Sequence, residues 1–186
     1  RGSAGTVGEL LFPEDGPRLG DDVIRRYHVD IHESRIPEPP ATEWLYRMVT
    51  TSSPLEEKIA LFWHHVFATA NSKAIQVTDQ IGMFRRNGLS DIKTILTDLS
   101  RDPAMLFWLD NNENVRGEPN ENYGRELLEL FSMGLGNYSE DDIKNVARAF
   151  TGWTITQPIP EYPTNQNRSV FVYEEDRHDD GVKTFL

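Results

Sequence analysis

The segment from Pro119 to Phe131 carries the densest group of side chains capable of chemistry: three carboxylates, two amides and one guanidinium. At 3.6 residues per turn, Asn122, Glu126 and Glu129 fall along one strip beside an apolar face. A buried carboxylate needs an ion pair, hydrogen bonds or a metal ion, because burying it alone is costly. The segment therefore predicts a polar site inside a helical protein, without specifying a reaction.

The same glutamates have a simpler explanation. Glu121, Arg125 and Glu129 are spaced four residues apart, which is also the spacing of surface ion pairs on a helix. That explanation fits Glu126 less well, since Glu126 borders the apolar stripe. Glu126 and Glu129 have the i,i+3 spacing found in metal-binding helical proteins, but the histidine that completes such a motif is absent. A divalent metal is therefore one alternative, and its identity stays open.

Neighbouring polar residues extend the candidate site. Asn120 and Asn122 are favoured as helix caps, but beside a glutamate at a helix start they could equally hold the polar groups of a ligand. Arg148 lies five residues before Trp153, near the end of a predicted helix. Its guanidinium could clamp a carboxylate or a phosphate. The alternative is an ion pair with a buried glutamate, and Glu126 is the predicted partner.

Two histidines are candidate acid–base groups. His64 lies in Trp63-His64-His65, within a predicted helix that is apolar nearly all round and is therefore expected to be buried. A buried imidazole needs a hydrogen-bond partner, for which a carboxylate from another helix is the natural choice; a core histidine and a functional one are both open. His178-Asp179-Asp180-Gly181 follows a predicted strand, where it forms either an acid–base or metal site or an ordinary turn.

The elements that must position these groups are mainly helices. Ser53-Pro54 and Asp102-Pro103 each place a capping residue before a proline at the first helical position. Ser139 with Asp142 three residues later predicts a capping box. With the apolar spacing, these signals predict helices that begin near residues 41, 54, 79, 91, 103, 122 and 140.

The sequence after Gly152 changes character and predicts a β-hairpin, in which Ser169–Tyr173 pairs with Trp153–Thr156. The predicted fold is mainly α: a multi-helix orthogonal bundle with a small C-terminal hairpin. Residues 1–40 are expected to be irregular apart from a short helix near Asp22–Tyr27. Residues 41–186 are expected to form the helical domain, incomplete at its C-terminus.

Composition excludes several classes of protein. The 186 residues are 38% apolar and 26% charged, as in a folded globular domain. A formal net charge of −11 argues against binding to nucleic acid or to an anionic membrane, and no apolar run is long enough to span a bilayer. The absence of cysteine excludes disulfides, thiolate–zinc sites and a thiol nucleophile. No nucleotide-binding or haem-binding signature is present.

Motifs spread over most of the chain resemble, in order and spacing, those of one bacterial family, domain of unknown function 1800. The matching segments run from Trp44 to the last residue; the clearest are Leu61-Phe62-Trp63-His64, Pro119-Asn120-Glu121-Asn122, Arg125-Glu126-Leu127-Leu128-Glu129-Leu130-Phe131, Ala147-Arg148-Ala149-Phe150-Thr151-Gly152-Trp153 and His178-Asp179-x-Gly181. The resemblance implies that the family motif singles out His64, Asn120, Glu121, Asn122, Arg125, Glu126, Glu129, Arg148, Trp153 and His178. Many members carry a second histidine where this chain has Val66, which weakens a metal interpretation here.

The resemblance also implies an exported protein, periplasmic or extracellular, that is part of a longer chain and has a sulfatase-like partner. It implies no particular activity. Two hypotheses follow. In one, the protein has an undetermined activity and a buried His/Glu/Arg polar network. In the other, the same residues activate water, with or without a metal, to hydrolyse an ester, a phosphate or a sulfate. Whether the protein is an enzyme is left open.

Overall fold

The computed structural model describes residues 2–13, 38–69, 74–156 and 169–186. The helix predicted near Asp22–Tyr27 lies outside these residues. The chain divides into two compact units, an N-terminal unit (Arg1–Asp91) and a C-terminal unit (Ile92–Leu186). The predicted domain boundary near residue 40 stays a prediction.

Four helices are described in the N-terminal unit: α1 (Ser3–Leu11), α2 (Glu38–Thr50), α3 (Pro54–Phe67) and α4 (Ala74–Asn87). The predicted helices near residues 41 and 54 are confirmed. Helix α4 begins five residues before the predicted start at residue 79. Helix α1 corrects the expectation that the first forty residues are irregular apart from the short helix near residues 22–27. Val7, Leu10 and Leu11 recur at helical spacing in this segment, although it also contains two glycines.

Helix α3 is less buried than its composition predicted. Its first turn contains a proline and two glutamates, and the negative charges of the glutamates interact favourably with the positive end of the helix dipole. Its buried face carries Glu57, Ala60 and Phe67, whereas Leu61 and Phe62 are about half exposed. The expectation of a helix buried all round is therefore wrong, because an apolar residue type does not by itself determine which face packs.

Helices α3 and α4 pack through aromatic side chains. Phe67 stacks on Trp63 within α3 and on Phe84 of α4, with ring centroids 5.4 and 5.7 Å apart. The Trp63 indole Nε1 donates a 2.7 Å hydrogen bond to the carbonyl of Gly88, just after α4. These contacts fix the helix pair that carries His64.

The C-terminal unit contains short helices and a hairpin. Its elements are α5 (Ile92–Leu99), α6 (Pro103–Trp108), a 3₁₀ turn (Asn111–Glu113), α7 (Asn122–Glu126), a π-helix (Leu127–Ser132), α8 (Glu140–Ala149), β1 (Trp153–Ile155), β2 (Phe171–Tyr173) and a second 3₁₀ turn (Glu175–Arg177). Strands β1 and β2 are antiparallel, with Thr154 opposite Val172. The prediction of a mainly helical fold with a C-terminal hairpin is confirmed.

Two predicted caps are confirmed in this unit. The Asp102 carboxylate accepts a 2.9 Å hydrogen bond from the backbone N–H of Met105. Ser139 and Asp142 form the reciprocal capping box at the start of α8. Such caps satisfy backbone donors that a helix start leaves unpaired.

The core of the C-terminal unit is apolar and built around a buried tyrosine. The fully buried side chains here include Ile95, Leu99, Met105, Leu106, Tyr123 and Ile143. The Tyr123 hydroxyl donates a 2.6 Å hydrogen bond to Ser100 Oγ, and burial raises the pKa of Tyr123 well above its ordinary value. In the described parts of the chain, no helix is long and apolar enough to cross a membrane.

Candidate functional site

His64 lies on the last turns of α3 in a desolvated position. The Gln80 side chain on α4 hydrogen-bonds to its ring, and Trp44 of α2 forms a T-shaped pair with it, with the ring centroids 5.5 Å apart. Burial lowers the pKa of His64, and the hydrogen bond with Gln80 opposes that shift. The partner is thus a carboxamide, which corrects the expected carboxylate. His65 is exposed.

Polar side chains of the helix pair, on α3 and on α4, have buried atoms without a hydrogen-bond partner in the part of the chain that the structure describes. His64 Nδ1 is buried and has no hydrogen-bond partner among the described residues. Gln76, one turn before Gln80 on α4, is 2% exposed, and neither its amide nitrogen nor its amide oxygen has a partner in the described part of the chain. Buried polar groups in native proteins are nearly always hydrogen-bonded, so each exception needs an explanation.

A buried ion pair joins α3, the helix that carries His64, to α4. Glu57 of α3 is 5% exposed and accepts two hydrogen bonds from Arg85 of α4, at 2.5 and 3.0 Å. The indole Nε1 of Trp44 donates to the same carboxylate at 2.9 Å. The Trp44 ring therefore bridges the ion pair and His64, and its orientation is fixed by Glu57.

His178 lies in the C-terminal unit and both of its ring nitrogens have partners. Nδ1 is 2.7 Å from the carbonyl oxygen of Thr151, and a carbonyl can only accept, so Nδ1 carries the proton. Nε2 is 3.5 Å from Lys183 Nζ, and that ammonium also donates to the carbonyl of Asp179. The imidazole of His178 is therefore held in place by contacts at both of its ring nitrogens.

Arg148 forms a bidentate ion pair with Asp179, through Nε at 2.8 Å and a terminal nitrogen at 3.1 Å. The predicted partner, Glu126, is therefore wrong. The segment after β2 brings Asp179 onto α8, a long-range placement that helical spacing does not encode. The Arg148 guanidinium holds the pKa of Asp179 far below its usual range, and the backbone N–H of Gly181 adds to this effect.

The glutamates of the Pro119–Phe131 segment face different surroundings. Arg125 pairs with Glu121 at 3.1 Å and with Glu140 of α8 at 2.9 Å, in partly exposed positions. Glu129 accepts a 2.8 Å hydrogen bond from the Tyr138 hydroxyl. Glu126 is half-buried and has no hydrogen bond or ion pair among the described residues. The surface-pair alternative thus holds for Glu121 and Arg125.

A π-helix explains why the predicted strip of carboxylates is not continuous. The chain is α-helical up to Glu126 and follows i→i+5 bonding from Leu127 to Ser132. Asn122, Glu126 and Glu129 were placed on one strip by assuming 3.6 residues per turn throughout. The wider turn after Glu126 breaks that assumption.

The remaining predicted residues have structural contacts. Asn120 Oδ1 accepts from the backbone N–H of Asn122 at 2.9 Å, as a capping residue does, whereas Asn122 is exposed. Trp153 lies in an aromatic row between Phe150 and Phe171, with centroids 5.0 and 5.2 Å away. These observations favour the capping alternative for Asn120.

Several residues that matter were not predicted. Gln76, Gln80 and Phe84 recur every four residues on α4, so two amides continue a buried stripe. That spacing was the available signal, but starting the helix at residue 79 excluded Gln76. Within the described residues, no group of three or more histidine, aspartate and glutamate side chains is placed to hold a metal ion. The meeting of His64 with Glu126, Glu129 and Arg148 stays a prediction.

Comparison with known proteins gives one match. The family model described as "Protein of unknown function (DUF1800)" matches residues 21–186, and the chain belongs to this family. No curated protein and no solved structure matches the chain. The family resemblance inferred from the motifs is therefore confirmed, while the activity is undetermined.

Proposed function

We propose that the N-terminal unit provides a polar binding site centred on His64, and that the protein functions by binding a ligand at this site. The observation that supports this is a pair of buried groups, His64 Nδ1 and the Gln76 carboxamide, that have no hydrogen-bond partner among the described residues. Leaving a buried donor or acceptor unpaired costs about 1–3 kcal/mol. A bound group that both donates and accepts hydrogen bonds would remove that cost.

The chemistry of the site defines the ligand class. A neutral imidazole nitrogen and a carboxamide recognise hydroxyl, ester or oxyanion groups through hydrogen bonds, not through net charge. The Trp44 ring adds an apolar wall, with its centroid 5.5 Å from that of the imidazole. The site suits a small polar group attached to a less polar body.

Probes and matched variants test this proposal. Sulfate, phosphate and a neutral diol are titrated while the imidazole resonances of His64 and His65 are followed by NMR. At least one probe is expected to shift His64 saturably, while the exposed His65 stays unchanged. Failure of all three probes to move His64 would refute the polar ligand class.

Gln76→Met separates a binding site from a structural network. Replacing an unpartnered buried amide by an apolar chain of similar shape is expected to raise the free energy of unfolding by about 1 kcal/mol and to weaken probe binding. A loss of stability of several kcal/mol would show that Gln76 supports the fold, and would contradict the proposal. Gln80→Met serves as the comparison, because its amide already contacts the imidazole.

A second candidate function is hydrolysis of an ester, a phosphate or a sulfate. It is favoured by one observation: burial lowers the pKa of His64, and a lower pKa favours the neutral form that a general base needs. The test uses the 4-nitrophenyl ester, phosphate and sulfate as substrates. Turnover that is lost in His64→Gln and kept in His65→Gln supports hydrolysis, and absence of turnover on all three rules it out for these classes.

We infer export and a sulfatase-like partner from the family resemblance. A cysteine-free chain agrees with an oxidising compartment outside the cytosol. Fractionation of cells that express the full-length gene, followed by detection in the periplasm and medium, tests the location. Recovery in the cytosol alone would contradict it.

A further inference from the structure

The C-terminal unit contains a cavity of about 590 Å³ that plays no part in the His64 site. It lies among α5, the π-helix, α8 and the C-terminal segment, and its walls are largely aliphatic. The residues that shape it include Leu96, Leu127, Leu128, Met133, Val146 and Phe185. Its volume falls within the range of small-molecule sites in proteins.

The charge around this cavity is opposite to that of the protein. The chain has 30 acidic and 19 basic residues, yet the described residues that line the cavity include two lysines and no acidic residue. Lys93 on α5 is exposed, and its ammonium has no hydrogen bond or ion pair among the described residues. Lys183 is held by the carbonyl of Asp179 and lies 3.5 Å from His178 Nε2.

We propose that this cavity binds a free fatty acid of medium chain length. The aliphatic walls take up the hydrocarbon chain, and the carboxylate pairs with Lys93 at the rim. The polar side chains of the described lining include Thr97, Ser132 and Asn145, and each of these three already donates to a backbone carbonyl. One anionic head and an apolar tail therefore match the lining better than a sugar or a nucleotide does.

Isothermal titration with dodecanoate, kept below its micelle concentration, tests the proposal on the whole chain. Saturable binding at one site is expected, at least tenfold tighter than that of the neutral dodecanol. Binding of dodecanoate is expected to weaken as salt is raised, because the rim pair is exposed to solvent. Equal binding of the acid and the alcohol would overturn the role of the lysine.

Two exposed positions allow variants that leave the core intact. Lys93→Met is expected to weaken dodecanoate binding at least tenfold. Lys144→Met removes an exposed lysine from α8 that does not line the cavity, and is expected to have no effect. Equal effects of the two substitutions would show a general charge effect and refute the site.

Ala149→Phe tests the cavity itself. Ala149 is exposed on α8 and lines the cavity, so a phenyl ring there is expected to fill it and reduce binding at least tenfold. Undiminished binding in this variant would place the ligand elsewhere and overturn the proposal. If the protein bound phosphatidylcholine vesicles but not dissolved dodecanoate, its target would be a lipid surface. That result would also overturn the proposal.

Discussion

The two histidines that the sequence selected differ in how completely the fold satisfies them. Both ring nitrogens of His178 have partners, and its neighbour Asp179 is paired with Arg148. His64 has one satisfied nitrogen and one buried nitrogen with no partner in the described part of the chain. A closed network stabilises the fold, whereas an open one leaves a hydrogen bond for a ligand. We therefore interpret His178 as a structural imidazole and His64 as the candidate functional one.

His64 is expected to make stability depend on pH on the acid side of neutrality. Its ordinary pKa of 6.5 applies to the unfolded chain, and burial lowers the pKa in the folded state. Between the two values the unfolded chain binds more protons, so stability is fully present above pH 6.5 and falls as the pH drops toward the folded pKa. Thermal melts from pH 8 to pH 5 measure this fall, and His64→Gln is expected to flatten it. An unchanged slope in His64→Gln would contradict the assignment.

Glu57 is expected to be among the most important charged residues for stability. It is 5% exposed and pairs with Arg85, so Glu57→Gln leaves a partly buried guanidinium without its carboxylate. The expected loss is about 3–5 kcal/mol in the free energy of unfolding. Glu121→Gln, which breaks a partly exposed pair with Arg125, is expected to cost less than about 1 kcal/mol. Urea denaturation of both variants checks the difference, and similar losses would contradict it.

At the scale of elements, the turn between α8 and β1 is fixed by a glycine. Gly152 has φ +76°, and a Cβ there would lie 2.5 Å from the carbonyl oxygen of Glu174. Its backbone N–H donates to the carbonyl of Asn114 at 3.0 Å, and its carbonyl accepts from the N–H of Glu174 at 2.8 Å. The hairpin, the 3₁₀ turn after it and the His178 network all depend on this close approach.

Gly152→Ala is expected to destabilise the protein by about 2–5 kcal/mol. The left-handed conformation costs a non-glycine residue about 1–2 kcal/mol, and forcing a methyl group against backbone adds about 1–3 kcal/mol. Gly136 is the matched control, because its φ is +84° but a Cβ there meets no atom within 4 Å. Gly136→Ala is expected to show the conformational cost alone. Equal melting temperatures for the two variants would show that crowding at Gly152 does not reduce stability.

Element types were predictable where local signals were strong. Asp102-Pro103 and the Ser139/Asp142 capping box marked helix starts, because a cap is formed within one turn of sequence. The π-helix after Glu126 was not predictable, since nothing in its composition distinguishes i→i+5 from i→i+4 bonding. The candidate site was predictable only in part. His64 was identified from its apolar helix, but its partner Gln80 depends on how α3 packs on α4.

Across the whole molecule, contacts between residues that are far apart in the sequence could not be predicted from local patterns. The pairing of Arg148 with Asp179 joins residues 31 positions apart, and the spacing of residues within a helix does not encode such a contact. The hairpin was predicted because β-branched and aromatic residues flank a proline-rich segment. Its register, with Trp153 opposite Tyr173, follows from contacts that no local pattern specifies.

The C-terminal unit is expected to fold without the rest of the chain. It has its own buried side chains, among them Leu106 and Tyr123, and the aromatic row and the His178 network lie within it. Residues 92–186, expressed alone, are expected to unfold cooperatively on heating and to show near-UV circular dichroism from ordered aromatic side chains. Leu106→Ala in this fragment is expected to cost about 2–5 kcal/mol, whereas Leu135→Ala, at a side chain that is 76% exposed, is expected to change little. A gradual, non-cooperative transition in the unsubstituted fragment would show that this unit depends on the N-terminal one for its stability.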